Sequence, residues 1–532
     1  MTIVSAPDIF PGESNAPIAK SIEDRLSQEL IIALVGPVGS GVSTAAAYIR
    51  DMLVQTFAYD VAPIIKPSSI IKSEAVRVGD NIPEELPFDQ YILRMQDAGN
   101  SLRERFGGDY LAEKIVETIY TYRNKHGGYT ASGVVIPGRR AYIIDSLKNP
   151  DELDLLKQIY GETLCVIGVF APDAQRKKRL TDAQVPADQI NAIIDRDQGE
   201  IATFGQKTRK LFVRSDFFVC NDRRPEELRS KISRLLEIMF DTSVHTPTRA
   251  ESAMYEASAA AAKSACMSRQ VGAAIVSASG ELISIGWNDV PRFGGGLYNE
   301  DDQSTLDPIR MAVLDEDNRC FKWGGCICHN EVRRNRIVEK LVNKVSQSGL
   351  LKRGATAQDV TSLFAGSEIE SLIEFSRSIH AEMEAILGVA REGKHSLVGA
   401  TLFTNTYPCH NCARHIVASG IKSVIYIEPY LKSLAIDLHY DAISEDPEDK
   451  TRVTFRQYDG VAPRSYIRLF RPHAERKRNG RLDRPDPRSA LPVFRIQLDS
   501  LVDYEAKVLV ELSSKEQNST GVEGRFGISA DG

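Results

Sequence analysis

The sequence predicts an α/β protein built in two halves, and three observations carry that reading. Apolar runs of strand length, Leu30–Val35, Ala141–Asp145 and Leu164–Phe170, alternate with helical segments through the first half. That alternation argues for a parallel sheet with helices on both faces. The polar linker Thr242-Ser243-Val244-His245-Thr246-Pro247-Thr248 ends the pattern. Beyond it, strands and helices resume in an order that suits a second α/β/α layer structure, interrupted by a long insertion.

Taken in order, residues 1–27 hold Pro, Ser and Gly without periodicity and read as a flexible arm. Residues 28–241 form the first α/β domain, closing on the helical run Pro225 to Phe240. The second domain spans 249–470. It opens with an Ala-rich helix, Arg249 to Cys266, followed by strands Gln270–Ser277 and Glu281–Trp287 around Ser279-Gly280. The insertion covers about 291–375. A helix from His380 to Leu387, a strand from Ala400 to Asn405, a helix from Cys409 to Ser419 and a strand Lys422–Ile427 complete it. Residues 471–532 become basic and Pro-rich, then polar, and read as a partly disordered extension.

The 532 residues suffice for several domains with large cores. A net charge of -6, without a central basic run, argues against general binding to long nucleic acids. Eight unevenly spaced cysteines are too few for a disulfide scaffold. Met1 to Lys20 lacks the features of a signal peptide, and the apolar runs are too short to span a bilayer. A soluble, cytoplasmic protein is expected.

Gly36-Pro37-Val38-Gly39-Ser40-Gly41-Val42-Ser43-Thr44 follows the first strand and opens a helix. It matches a phosphate-binding P-loop except that Val42 stands where the lysine belongs. Backbone N–H groups of such a loop still cradle phosphate, so Gly36, Gly39, Ser40, Gly41, Val42, Ser43 and Thr44 are candidate nucleotide-binding residues. The missing lysine removes the cation that phosphoryl transfer uses. Asp145 is placed either as a Walker-B-type acid or as a turn or cap aspartate. The half resembles P-loop nucleoside and nucleotide kinases. Gln175-Arg176-Lys177-Lys178-Arg179 looks like their lid cluster, and Asp216-Phe217-Phe218-Val219-Cys220-Asn221 like their last strand. With Val42, the resemblance implies a degenerate kinase domain acting as sensor, scaffold or binding platform.

His380-Ala381-Glu382 followed by Pro408-Cys409-His410-Asn411-Cys412 carries the chemistry. The pattern H-x-E … P-C-x-x-C marks zinc-dependent base deaminases. His380, Cys409 and Cys412 are the expected Zn2+ ligands, leaving one position open as catalytic zinc requires. Glu382 is the expected general acid/base. A lone C-x-x-C has redox and structural-zinc readings, but the histidine and both cysteines here sit in the helix–strand–helix context of a catalytic site.

Val271-Gly272-Ala273-Ala274-Ile275-Val276, Ile285-Gly286-Trp287-Asn288 and Ser378-Ile379-His380-Ala381-Glu382-Met383-Glu384-Ala385-Ile386 resemble deoxycytidylate deaminases. The second domain is thus expected to be cytidine-deaminase-like. The fusion of a P-loop domain to such a deaminase, with Glu428-Pro429-Tyr430-Leu431-Lys432-Ser433-Leu434-Ala435, is similar to the bacterial antiphage dCTP/dCMP deaminases. That resemblance implies conversion of dCTP and dCMP to dUTP and dUMP, depletion of the phage's dCTP pool, control by an inhibitory small RNA, and a homo-oligomer. It implies that Asn288 meets sugar and base, that the Ala381 backbone meets the pyrimidine edge, that Tyr430 stacks on the substrate, and that Lys432 meets its phosphate. A turn role for Asn288, core packing for Tyr430 and a solvated Lys432 are the alternatives.

Cys320, Cys326, Cys328 and His329 lie close together in the insertion and are a candidate second metal site, with reduced core cysteines as the alternative. Competing functions are a polynucleotide (ssDNA or tRNA) base deaminase and a nucleotide-sensing regulator with an inert zinc domain. The first requires a basic, aromatic-lined channel. The intact Glu382 weighs against the second.

Overall fold

The computed structural model describes residues 25–520 apart from 84, 132, 200–206, 223, 302–304, 308–311, 315–318, 323–324, 350, 353, 366 and 431–432. The expected arm lies almost wholly outside the described residues. The chain divides into two compact units. The first holds the residues up to Ser215, Asn221–Val244 and those from Pro472 onward; the second holds Asp216–Cys220 and His245–Arg471.

In the first unit, Leu30–Val35 lies between Leu164–Phe170 and Arg140–Asp145, and Asp60–Val61 extends the far side. All these pairings are parallel. The three long strands are buried at every position, which is why each reads as an unbroken apolar run. The first strand feeds the glycine loop, and Gly41, at φ 80°, precedes the helix Val42–Gln55. Asn149 caps the helix Pro150–Tyr160 in a capping box with Glu152. The Glu152 carboxylate also accepts two hydrogen bonds from the buried Arg103 guanidinium.

The C-terminal extension is not simply an appendage. Its helix Leu498–Thr520 packs in the first unit, with Leu498, Leu501, Val508 and Leu512 buried. Glu505 of that helix is fully buried and meets Arg123, which also bonds Glu29 at 2.7 and 2.9 Å. Arg140 reaches the same Glu29, and Tyr160 donates to Glu505 at 3.0 Å. Each buried charge is therefore compensated, as burial demands.

In the second unit, Thr248 opens the helix Arg249–Ala261 through a capping box with Glu251. This helix stops short of the expected Cys266. A single sheet runs Ile443–Ser444, Val453–Gln457, Ser423–Glu428, Thr401–Thr406, Gly272–Val276, Leu282–Trp287. Its last two pairings are antiparallel and the rest parallel. Two glycines let helices sit directly on this sheet. A Cβ on Gly272 would lie 2.0 Å from the Ala257 carbonyl oxygen, and one on Gly286 would lie 2.3 Å from that of Ala381. Gly286 pairs with Ala273, the neighbour of Gly272, so the two glycines face opposite sides of the sheet. The result is the expected α/β/α layering, with the helices Arg249–Ala261 and Ala381–Glu392 on opposite faces. The insertion contributes a hairpin, Thr305–Asp307 with Ala312–Leu314, and the helix His329–Gln347. Phe217–Cys220 forms a strand in the same six-stranded sheet as Leu30–Val35 and pairs antiparallel with Gly460–Val461.

Candidate active site

Two helix starts converge on one point. His380 is the N-cap of the helix Ala381–Glu392, and Cys409 is the N-cap of His410–Ala418, with Cys412 in that helix's first turn. Positive helix ends favour thiolate at such positions. The Nδ1 of His380 lies 3.3 Å from each of the Cys409 and Cys412 sulfurs. All three donor atoms fall within 4.8 Å of one another. Tetrahedral zinc, with Zn–S of about 2.3 Å and Zn–N of about 2.0 Å, separates such donors by about 3.5 Å, so this triad fits Zn2+.

Electrostatics agree with ligation. The Cys409 thiol is held down to about 4, first by its bond with Cys412 and then by His380, against the opposing effect of burial. It is thus a thiolate, the form that binds metal. Burial depresses His380, but the bond and charge of Cys409 more than offset this and raise it to about 9. Metal binding must displace that proton. Glu382, only 4% exposed, has its carboxyl pushed up by burial and by the negative charge of Cys409. Its Oε2 lies 3.4 Å from the Cys412 sulfur.

The triad opens into a cleft enclosing about 820 Å3, solvent at its mouth included. His380, Glu382 and Cys409 line its base, while Asn288, Tyr407 and Tyr430 line the walls. Asn288 reaches the cleft, and its carboxamide makes two hydrogen bonds to backbone. Its Oδ1 accepts from the Val271 N–H at 2.7 Å and its Nδ2 donates to the Arg269 carbonyl at 2.8 Å. It therefore clamps the turn before the first strand while keeping one N–H and one lone pair of the amide for other partners. Tyr430 is half-buried, with its phenol pushed up by burial and by the charge of Cys409. Ala381 is fully buried with its carbonyl against Gly286, and it does not line the cleft. Lys432 lies outside the described residues. Glu384 pairs with Arg391, away from the metal ligands.

Among the described residues His380, Cys409 and Cys412 form the one cluster of three such donors within 4.8 Å of one another; Cys320, Cys326, Cys328 and His329 are not gathered so closely. Cys328 caps the helix His329–Gln347 with its sulfur 3.8 Å from the Ser268 hydroxyl, whereas Cys326 is exposed in a turn at φ 60°. Adjacent positions at a helix start diverge, which sequence spacing alone does not reveal.

In the first unit the glycine loop is closed by its own neighbours. The Val38 N–H donates to the Asp197 carboxylate at 2.8 Å. Arg176 donates to the Val38 carbonyl and Arg179 to that of Gly39. Asn221 bonds the Ser40 carbonyl at 2.9 Å. The Ser43 hydroxyl donates to Asp145 at 2.7 Å. Gly36 and Gly39 lie in this loop, while Val42 and Thr44 occupy the first turn of the helix Val42–Gln55. Lys148, which no motif singles out, brings its ammonium 2.9 Å from the Gly36 carbonyl and 2.7 Å from Asp197.

Sequence reasoning also missed the outer part of the cleft: Ser268, Arg269, Asn330 and Ser376. Asn330, on the insertion helix, donates to the Leu372 carbonyl and accepts from the Phe375 N–H, fixing the stretch that leads to Ser376. The one available signal was that Arg269 immediately precedes the first strand of the deaminase-like hairpin.

Residues 247–428 match the family model for the cytidine and deoxycytidylate deaminase zinc-binding region. The chain is 31% identical over 177 residues to the deoxycytidylate deaminase of Enterobacteria phage T2, covering 32% of this chain and 75% of that protein. It is 31% identical over 174 residues to the deoxycytidylate deaminase of Enterobacteria phage T4, covering 32% of this chain and 73% of that one. The apo crystal structure of the cyanophage S-TIM5 dCMP deaminase aligns with 40% of this chain and 100% of its own, at 18% identity and a TM-score of 0.21. With the His380–Cys409–Cys412 triad inside the matched region, the chain belongs to the zinc-binding cytidine and deoxycytidylate deaminase family.

Proposed function

We propose that the second unit hydrolytically deaminates deoxycytidine nucleotides, dCMP to dUMP and dCTP to dUTP, with release of ammonia. The observation that carries this reading is the meeting of His380, Cys409 and Cys412 with a buried carboxyl, Glu382, at the base of one cleft. The phage relatives carry the name deoxycytidylate deaminase, which supports the choice of substrate. Zinc, held by the three ligands, lowers the pKa of water towards neutrality and so supplies a nucleophile at working pH.

Glu382 does the proton work. Its carboxylate takes one proton from the attacking water and delivers it to the ring nitrogen, then carries the second, from the hydroxyl now on the ring carbon, to the amine that departs as ammonia. Burial and the nearby thiolate raise its proton affinity, so it gives and takes protons nearer to neutral pH than an exposed carboxylate does. Tyr430 forms the wall against which a pyrimidine stacks. The glycine loop from Gly36 to Thr44 is the candidate site for a regulatory nucleotide. Depletion of dCTP in antiphage defence, an inhibitory small RNA and a homo-oligomer complete the proposal by resemblance.

The test is direct. Zinc-loaded protein is incubated with dCMP, dCTP, CTP and a cytosine-containing oligonucleotide, and deaminated product is separated by chromatography. Uracil nucleotide from dCMP and dCTP supports the reading. Product from the oligonucleotide alone contradicts it.

A further inference from the structure

Among the described residues lining the cleft, Arg269 is the one guanidinium or ammonium. It stands at the open end: its side chain is 44% exposed, whereas Glu382 at the base is 4% exposed. Ser268 and Ser376, both exposed, share that end. A nucleotide whose base reaches Glu382 directs its 5′ end outward along this gradient. The arginine is held from both ends. Asn288 fixes its backbone carbonyl, and its guanidinium pairs with Glu428 and lies 3.5 Å from the Thr406 hydroxyl. Glu428 is itself fixed, because it ends a central strand opposite Thr406 and its carbonyl accepts from the Tyr407 N–H.

We propose that Arg269 reads the 5′-phosphate of the substrate and that Glu428 is the internal anion that phosphate displaces. A phosphate dianion carries more charge than a carboxylate and matches the planar guanidinium fork equally well, so it competes favourably for this group. Asn288 then also acts as a positioning residue, setting the arginine's backbone. Glu428 acts against the phosphate, so the pair sets the preference for nucleotide over nucleoside. This inference rests on the deaminase reading above and extends it to the substrate's charged end.

The experiment compares the zinc-loaded full chain with Arg269→Gln, Arg269→Lys and Glu428→Gln. For each, kcat/KM is measured with dCMP and with deoxycytidine, and the binding of dUMP and deoxyuridine is measured by calorimetry. The loss of a charge-assisted contact corresponds to about 10- to 100-fold, so Arg269→Gln lowers the dCMP-to-deoxycytidine ratio by that factor. Arg269→Lys falls between it and the wild type. Glu428→Gln raises the ratio, since it removes the competing anion. A bridge with a purely structural role would make Arg269→Gln and Glu428→Gln act in the same direction. That result, or an unchanged ratio in Arg269→Gln, overturns the inference while leaving the deaminase reading intact. A wild-type protein that deaminates neither compound overturns both.

Discussion

Replacing Gly286 by alanine should dismantle the metal site from behind. The helix that begins at His380 lies so close to Leu282–Trp287 that a Cβ at Gly286 would sit 2.3 Å from the Ala381 carbonyl oxygen and 2.5 Å from the Ala385 nitrogen. Ordinary van der Waals contact begins at 3.4 Å, so the helix must retreat by roughly 1 Å. Both neighbours are backbone atoms, and no side chain can swing aside to absorb the clash. A metal site tolerates ligand displacements of only about 0.2 Å. The retreat carries His380 and Glu382 away from Cys409 and Cys412, which ride on a different helix. A 1 Å misplacement costs on the order of 100-fold in rate, and overpacking costs about 1–3 kcal/mol in stability. The assay is zinc per chain by elemental analysis with kcat/KM for dCMP. Gly272→Ala is the control, because its clash is with the Ala257 carbonyl on the opposite face. It is expected to destabilise the unit with a smaller effect on zinc. Full zinc occupancy and wild-type kcat/KM in Gly286→Ala would refute the reasoning.

Other predictions concern ligation, burial and pH. Cys412→Ser removes a soft ligand from the triad, so zinc per chain falls while the circular dichroism spectrum holds; retained zinc contradicts the assignment. Arg123→Met leaves Glu505 without its guanidinium and strands buried charge, costing about 3–5 kcal/mol in denaturant unfolding of the first unit; a change below 1 kcal/mol (roughly the value of an exposed pair) counts against the network. Burial pushes Glu113 up from 4.5 to about 7, while Lys515 pulls it down and Asp109 and Glu511 push it up. The folded state therefore holds a proton that the unfolded chain releases. The stability from this group is fully present below about 4.5 and is lost as pH rises through about 7. Glu113→Gln lacks this titration, so its melting temperature gains on that of the wild type across that window, and a constant difference between the two curves contradicts the assignment.

The metal site was legible because its chemistry is local. His380 and Glu382 are two residues apart and Cys409 and Cys412 three apart, so each half of the triad is fixed by a short stretch of helix start. The buried strands were equally plain, since a strand covered on both faces is apolar throughout. Long-range pairings left no such mark. Arg123 meets Glu505 across 382 positions, and no periodicity announces it. The extension from residue 471 looked detachable because its basic, Pro-rich beginning masks the amphipathic helix Leu498–Thr520 behind it. Asn288 carried a matching pattern, yet the pattern is equally explained by its clamp on Arg269 and Val271.

The central claim is that Glu382 moves protons for a zinc-assisted deamination. The most direct measurement is ammonia release from dCMP by zinc-loaded Glu382→Gln, with metal content determined on the same sample. The carboxamide keeps the shape of the side chain and cannot exchange protons as a carboxyl does. Rate should fall by about 100- to 10,000-fold with zinc retained at the wild-type level. A zinc-loaded variant that releases ammonia at the wild-type rate would contradict the account.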